Sequence, residues 1–478
     1  MFYGRDEILS DLSALYKKRG ASLVTCRGRR RIGKSTLIEV FAEKAGAKFL
    51  KIEGLKPKEK LTNDDELANF AAQLAVQTGC ESTPPQNWLN AFVRLDREIP
   101  RVGRVVVLLD EVSWMACYDP TFAGTLKIAW DNYFKKHDRL ILVVCGSVSS
   151  WIKDNIIDDG SFYGRRSLDV VVPELPLREC VKFWGRAAQR LDVREILDVL
   201  SVTGGVPRYL EEIEPGASAT ENIRKMCFRP KGILREDFGE MFNDVITRQP
   251  TFTSSVLRCL EDGARSVSEI ASSLNVEKGG RISNALQQLV EAGIVAADEG
   301  LNPLTGRKGR EVLYRMRDNY SRFYLKYIEP AAKMIDEDVF EFGALDCLEG
   351  WESIMGLSFE NLIVNNFRNI VGAIGLGTAQ ILSAAPYRRE GDRKRGGGGV
   401  QIDLLLQTRR SVCLVEVKRQ REIGREIIDE VDEKVQRLPR RQGISVRTAL
   451  VYEGHLAPIV EADGYFDAVV PFRSLLGL

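Results

Sequence analysis

Histidine is nearly missing: His137 and His455 are the only two in 478 residues. Two imidazoles far apart in the chain give no basis for a zinc site or a Ser/His/Asp triad, so any metal chemistry must use oxygen ligands. The nine cysteines include no C-x-x-C pair, and Cys26, Cys145 and Cys413 lie inside apolar runs, where they read as small core residues of a reduced, cytosolic chain. An excess of one charge is also missing, with 68 Lys and Arg against 67 Asp and Glu. No global basic field advertises a nucleic-acid partner, so any such surface must be local. No apolar run approaches the roughly 18 residues of a membrane span, and residues 1–10 lack the apolar centre of an export signal. The expectation is a cytoplasmic protein without a membrane partner.

What is present starts near the beginning. After the apolar stretch 21–26 stands Gly28, then four residues, then Gly33-Lys34-Ser35. This is the spacing of a phosphate-binding P-loop, in which a strand turns into a helix and points successive N–H groups at an anion. Lys34 would pair with the outer phosphates and Ser35 would hold Mg²⁺. Gly28, Arg29, Arg30, Arg31, Ile32, Gly33, Lys34, Ser35 and Thr36 form the candidate nucleotide-binding stretch. The flanks fit, because Leu37, Ile38 and Phe41 give the following segment one apolar face.

Residues 105–109 are unbroken Val and Leu and end in Asp110-Glu111. A buried parallel strand delivering two acids at its C-terminal edge is the Walker B arrangement. Asp110 would hold the metal and Glu111 would polarise the attacking water, since phosphoryl transfer depends on positioning and charge neutralisation. Residues 140–145 lead to Gly146-Ser147, where Ser147 would touch the γ-phosphate or the water, or else cap a helix.

At this length about three domains are expected, with 44% apolar residues available for their cores. Strand-like and helix-like segments alternate up to about residue 172, which argues for a parallel sheet covered by helices. From 175 to about 248 the pattern is helical, broken by Gly204-Gly205-Val206-Pro207. Next, 267–274 and 281–292 read as two helices around a turn, the second burying Ile282, Leu286, Leu289 and Val290 and leaving Arg281, Asn284 and Gln287 outside. Segments 294–297 and 311–315 flank a Gly-rich basic tip, as the wing of a winged helix would. Such a module either reads a DNA groove or braces other domains.

The C-terminal end holds a second candidate site. Residues 400–406 and 412–418 read as neighbouring strands joined by a polar turn containing Arg409-Arg410. Alternation puts Leu414, Glu416 and Lys418 on one face. Asp403 and Glu416 amid apolar runs would be costly to bury without a cation, so they would hold Mg²⁺ or Mn²⁺. Lys418 would orient or deprotonate water, and Glu360 would complete the metal set. The alternative is a surface hairpin with an ordinary ion pair. Between 388 and 447 stand sixteen basic and ten acidic residues, a local net charge of +6 that suits either a solvated or a phosphate-tracking surface.

The opening Phe2-Tyr3-Gly4-Arg5-Asp6-Glu7, the loop Gly28 to Ser35, Leu109-Asp110-Glu111, Gly146-Ser147, Tyr163-Gly164-Arg165-Arg166 and Gly204-Gly205-Val206-Pro207 together resemble the archaeal-type ATPases, P-loop proteins of the AAA+/STAND kind. The resemblance implies ATP and Mg²⁺ as cofactors, and Arg165 or Arg166 as a γ-phosphate sensor or a finger offered to a neighbouring subunit of a homo-oligomer. Read from the residues alone, those arginines could simply pair with Asp158 or Asp159. It further implies that a winged helix follows the ATPase and that a domain similar to PD-(D/E)xK nucleases comes last, with Glu360, Asp403 and Glu416-Val417-Lys418 matching its active-site pattern. Trp114 and Met115 stand where the family often has polar residues, which implies an altered wall beside Walker B. Gly396 to Gly399 reads as a loose tip.

The expected fold is α/β: a P-loop ATPase core over 1–172, a helical lid over 173–248, a winged helix over 249–330, a linker over 331–350 and a smaller α/β nuclease-like domain over 351–478. The expected function is ATP-dependent and DNA-associated, with a metal-dependent nuclease-like domain. The contrasting expectation is a nucleotide switch whose C-terminal domain binds a protein partner or DNA without cutting. A third, a transcription regulator reading an operator through Arg281, Asn284 and Gln287, lacks a dimer element such as a coiled coil.

Overall fold

The computed structural model describes residues 2–18, 20–147, 149–245, 249–309, 312–341, 344–391 and 398–478. The chain divides into two compact units, Met1–Glu174 and Leu175–Leu478.

In the first unit five strands form one parallel sheet: β1 (Ser22–Arg27), β2 (Lys48–Glu53), β3 (Val105–Asp110), β4 (Leu140–Gly146) and β5 (Arg166–Val171), in the order β2-β3-β4-β1-β5. β3 and β4 are buried along their whole length, the pattern of strands covered by helices on both faces. Helices α1 (Asp6–Leu15), α2 (Lys34–Lys44), α3 (Asn63–Thr78) and α4 (Trp88–Glu98) supply part of that cover. α3 starts in a capping box between Thr62 and Asp65, which satisfies donors its first turn would otherwise leave open. Behind the sheet, Phe70, Trp88, Phe92, Phe122 and Phe134 interlock edge to face, with Trp88 and Phe122 at 4.7 Å and 82°. The strand order matters for chemistry. β4 lies between β1 and β3, so the backbones of β1 and β3 end two strand spacings, about 9.5 Å, apart, a gap their side chains must cross.

The second unit opens with helices, among them Val193–Thr203, Ala219–Cys227 and Ile233–Val245, with a 3₁₀ stretch over Val181–Gln189. Helices Pro250–Arg258, Val267–Ser273 and Gly280–Glu291 follow, together with an antiparallel sheet of β6 (Arg265–Ser266), β7 (Val295–Asp298) and β8 (Leu313–Met316) in the order β6-β8-β7. Ile282, Ala285, Leu286 and Leu289 are buried on the Gly280–Glu291 helix, while Val290 is half-buried, a correction to the expected face. Arg281, Asn284 and Gln287 point outward. Glu311, at the expected start of the returning strand, lies outside the described residues, as do Arg248 and the stretch Arg393 to Gly397.

The last sheet contains β9 (Ser383–Arg389), β10 (Val400–Gln407), β11 (Ser411–Ile423), β12 (Ser445–Leu456) and β13 (Ala468–Pro471), ordered β13-β12-β11-β10-β9. β9, β10 and β11 run antiparallel, and β11, β12 and β13 parallel. The crossover between β11 and β12 carries the helix Glu426–Arg437, which buries Ile427, Ile428 and Val431. A second helix, Trp351–Asn365, packs on β9, β10 and β11. No helix among the described residues is long and apolar enough to cross a membrane.

Candidate functional site

The loop after β1 has the backbone its sequence demands. Gly28 has φ +150°, and a Cβ there would meet the Val172 carbonyl oxygen at 2.7 Å, so only glycine fits. Arg31 and Gly33 also take positive φ, 65° and 85°, which wraps the chain into the N-terminus of α2. Arg5, from the Phe2 to Glu7 opening, reaches the Ile32 and Glu174 carbonyls at 3.4 and 3.3 Å and so ties the loop to the end of the unit. Arg29 adds an ion pair with Glu174 at 3.6 Å. Lys34 is buried, and its ammonium donates to the Gly28 and Arg29 carbonyls at 3.0 and 3.1 Å. It caps the concave side of the loop, where an anion would compete for its protons.

Across the two-strand gap, Ser35 Oγ donates to Asp110 Oδ2 at 2.5 Å. A hydroxyl and a carboxylate oxygen in contact are the donor chemistry a hard divalent ion takes. Lys51, which the sequence did not single out, holds the same Asp110 oxygen at 3.2 Å and Glu53 at 2.9 Å. Neighbouring charges and hydrogen bonds from these two acids outweigh burial and raise its pKa, although desolvation is the largest single influence. Register explains the contact: Glu53 pairs with Asp110 across β2 and β3, so the end of β2 delivers a cation beside the acid. Glu111 sits at φ 48°, turned off the strand end, and its Oε2 accepts from the Ser147 N–H at 3.0 Å and hydroxyl at 2.8 Å. The Ser147 hydroxyl is therefore spent on Glu111. Met115 is buried, with its side chain close against Gly54, so that wall is apolar.

The arginine pair finds partners other than the acids first considered. Arg165 grips Asp131 with two hydrogen bonds of 2.9 Å, and Arg166 donates to the Ile157 carbonyl at 3.1 Å. Asp131, 34 residues earlier on the helix Phe122–Asn132, could not be singled out from sequence over the adjacent Asp158 and Asp159. His137, one of the two histidines, is buried against Asp96 at 2.7 Å and braces the interior.

Residues 2–213 match a family described as an ATPase domain predominantly from Archaea. This stretch is an archaeal-type P-loop ATPase domain. An uncharacterized protein of Methanocaldococcus jannaschii is 22% identical over 368 residues, 76% of each chain. The solved Walker-type ATPase of Pyrococcus abyssi superposes with a TM-score of 0.50 at 15% identity, over 68% of this chain and 96% of that one. The ORC2 protein of Aeropyrum pernix, solved as ADPNP–ADP complexes, gives 0.42 at 15% identity over 70% and 94%. At 15% identity the likeness to the Pyrococcus abyssi ATPase is one of fold. The ATPase domain accounts for nucleotide binding and hydrolysis in general terms, and its match ends well before the C-terminal sheet.

That sheet carries the second cluster. Asp403 lies one step beyond the paired Leu404 and Val415, which sets it across from Glu416, and it accepts from the Val417 N–H at 2.9 Å. Glu360 comes from the helix Trp351–Asn365, and all three acids line one cleft of about 300 Å³ with Lys418, Glu430 and Lys434. Burial, aided by the neighbouring acids, pushes the pKa of Glu360, Asp403 and Glu416 each up to about 7. Lys434 was missed by the sequence reading. It contacts both Glu416 oxygens at 2.7 Å, and Lys418 contacts one at 3.2 Å. Its only sequence signal was an i, i+4 match with Glu430 on an amphipathic helix.

The oxygen donors suit Mg²⁺ or Mn²⁺ in kind. Among the described residues, though, no three acids, histidines or cysteines are gathered as a formed metal site. The physical reason is visible at Glu416, whose carboxylate is taken up by two ammonium groups. Gly398 and Gly399, at the described end of the expected loose tip, precede β10, with Gly399 on the cleft wall.

Proposed function

We propose that this is an ATP-hydrolysing, DNA-associated protein in which the P-loop domain controls a metal-dependent nuclease-like domain, divided at 1–172, 173–248, 249–330, 331–350 and 351–478. The observation that carries it is the 2.5 Å contact between Ser35 and Asp110, which joins the loop to the acidic strand end. Lys34 would leave the Gly28 and Arg29 carbonyls to neutralise the outer phosphates, the loop N–H groups would hold them, and Ser35 with Asp110 would hold Mg²⁺. Bound there, Mg²⁺ supplies charge neutralisation of the leaving phosphate. Glu111 would orient the attacking water, and Ser147 would fix the carboxylate that does so. Arg165 would have to give up Asp131 before it could serve a neighbouring subunit.

In the C-terminal domain, crowded acids with pKa values raised by burial favour a cation, and displacement of Lys434 from Glu416 would free the carboxylate to bind one. Lys418 would then orient or deprotonate water at the cleft. The expected outcome is that Asp403→Ala and Glu416→Ala abolish Mg²⁺-dependent DNA cleavage while ATP hydrolysis persists. Wild-type protein that cuts neither single- nor double-stranded DNA under Mg²⁺ or Mn²⁺ would remove the nuclease half.

One observation favours a second reading. The two lysines on Glu416 make a closed ion-pair network, which a non-cleaving recognition domain would keep. Slow ATP turnover indifferent to DNA would mark such a nucleotide switch.

A further inference from the structure

Three cavities of the second unit share walls. The widest, about 730 Å³, lies along the hairpin between β7 and β8 and is lined by Arg307, Lys308, Tyr387, Arg388 and Arg389. Tyr387 and Arg388 also line the next, of about 240 Å³, which includes Arg322, Glu360 and Asp403. Glu360, Gln401 and Asp403 in turn line the cleft of the acidic cluster. Through these shared residues the three follow one another as a trough from the hairpin tip to Glu416.

Its chemistry changes along its length. At the hairpin end Lys308 pairs with Glu299, and Arg388 with Glu269 at 2.5 Å. Arg307 and Arg389 are exposed and have no acidic partner among the described residues. Midway, Arg322 is 3% exposed, and its Nε and Nη1 find no hydrogen-bond partner among the described residues. Its Nη2 donates to the Met316 carbonyl at 3.3 Å. Burial lowers its pKa only to about 10, so it stays a cation at neutral pH. A buried guanidinium with two open donors on a cavity wall lacks an acceptor, and a phosphodiester oxygen would supply one. Tyr387, half-buried where the two upper cavities meet, offers an aromatic ring of the kind on which an unpaired base stacks.

We infer that a single polynucleotide strand lies along this trough, its phosphates met by Arg307, Arg389 and Arg322 and a base resting on Tyr387, so that the chain is led to the Glu360–Asp403–Glu416 cluster. A cavity of about 240 Å³ has room for roughly one nucleotide and none for a duplex. The inference rests on the nuclease-like reading of that cluster and names its substrate as unpaired nucleic acid.

The test is fluorescence anisotropy of the full chain with a short labelled DNA strand and its duplex, in EDTA and without ATP, so that nothing is cut. Wild type should bind the single strand about tenfold tighter than the duplex. Arg307→Ala with Arg389→Ala should weaken strand binding and flatten its salt dependence by about 1.4, two phosphate contacts at about 0.7 each. Arg322→Met, which removes the guanidinium but keeps a long side chain in its place, should weaken binding as well. All variants should keep the wild-type ATP turnover measured without DNA. Equal or tighter duplex binding, or strand binding unchanged in both variants, overturns the inference. Strand binding that depends on these arginines in a protein that never cleaves would sink the nuclease reading alone. Cleavage that survives with strand affinity unaltered in the arginine variants would sink the trough alone.

Discussion

The nucleotide site and the C-terminal cluster solve the problem of holding charge in opposite ways. In the first, backbone does most of the holding: carbonyls of Gly28 and Arg29 take the Lys34 ammonium, and strand ends position Asp110 and Glu111 against hydroxyls of Ser35 and Ser147. In the second, side chains from two strands and two helices face one another, and three acids are offset by Lys418 and Lys434. A site made of backbone is fixed by local geometry and tolerates little substitution, whereas one made of opposed side chains is set by protonation and ion pairing.

The sharpest way to break this contrast is at Lys34. Lys34→Ala should lower ATP turnover by about 10²–10³-fold, the scale of losing one preorganised charge in phosphoryl transfer, as read in a steady-state assay. Turnover within a few-fold of wild type would show that the loop is not the phosphate cradle. Next comes the backbone itself. Gly28→Ala forces a Cβ toward the Val172 carbonyl, 2.7 Å away, and should cost about 1–3 kcal/mol in urea unfolding of the first unit. An unchanged midpoint would mean that the close approach is not required.

The smallest effect sharpens the other side. Glu360, Asp403 and Glu416 have folded pKa values of about 7, above the roughly 4 of unfolded carboxylates, so the folded state binds protons more tightly between those values. Their contribution favours folding at pH 4–5 and is lost as pH rises through about 7. The second unit should therefore melt at a lower temperature at pH 8 than at pH 5.5, and Asp403→Asn should shrink that difference. A melting temperature that rises with pH, with the variant tracking wild type, would contradict the opposed-charge picture.

The same contrast explains what could be read before the fold was known. The P-loop was legible because eight consecutive residues fix its backbone, and Asp110-Glu111 because a run of five Val and Leu residues announces the strand carrying them. Asp403, Glu416 and Lys418 were legible from strand alternation in a hairpin of near neighbours. Lys51 was not, because its role follows from β2 lying beside β3, a pairing across more than fifty residues. Lys434 and Asp131 escaped for the same reason: each lies on a helix whose placement against its partner is a tertiary fact. The two Arg322 nitrogens that find no acceptor among the described residues are less visible still, since a missing hydrogen bond leaves no pattern in sequence.

One measurement bears most directly on the central claim that a nucleotide is held between the loop after β1 and the acids after β3. ATP binding should be titrated with and without Mg²⁺ for wild type, Ser35→Ala, Asp110→Asn and the double variant. Wild-type affinity should depend on Mg²⁺, each single variant should lose that dependence, and the double variant should lose no more than either single, because the two side chains act on one ion. Additive losses, or a wild-type protein that binds no ATP, would contradict the account.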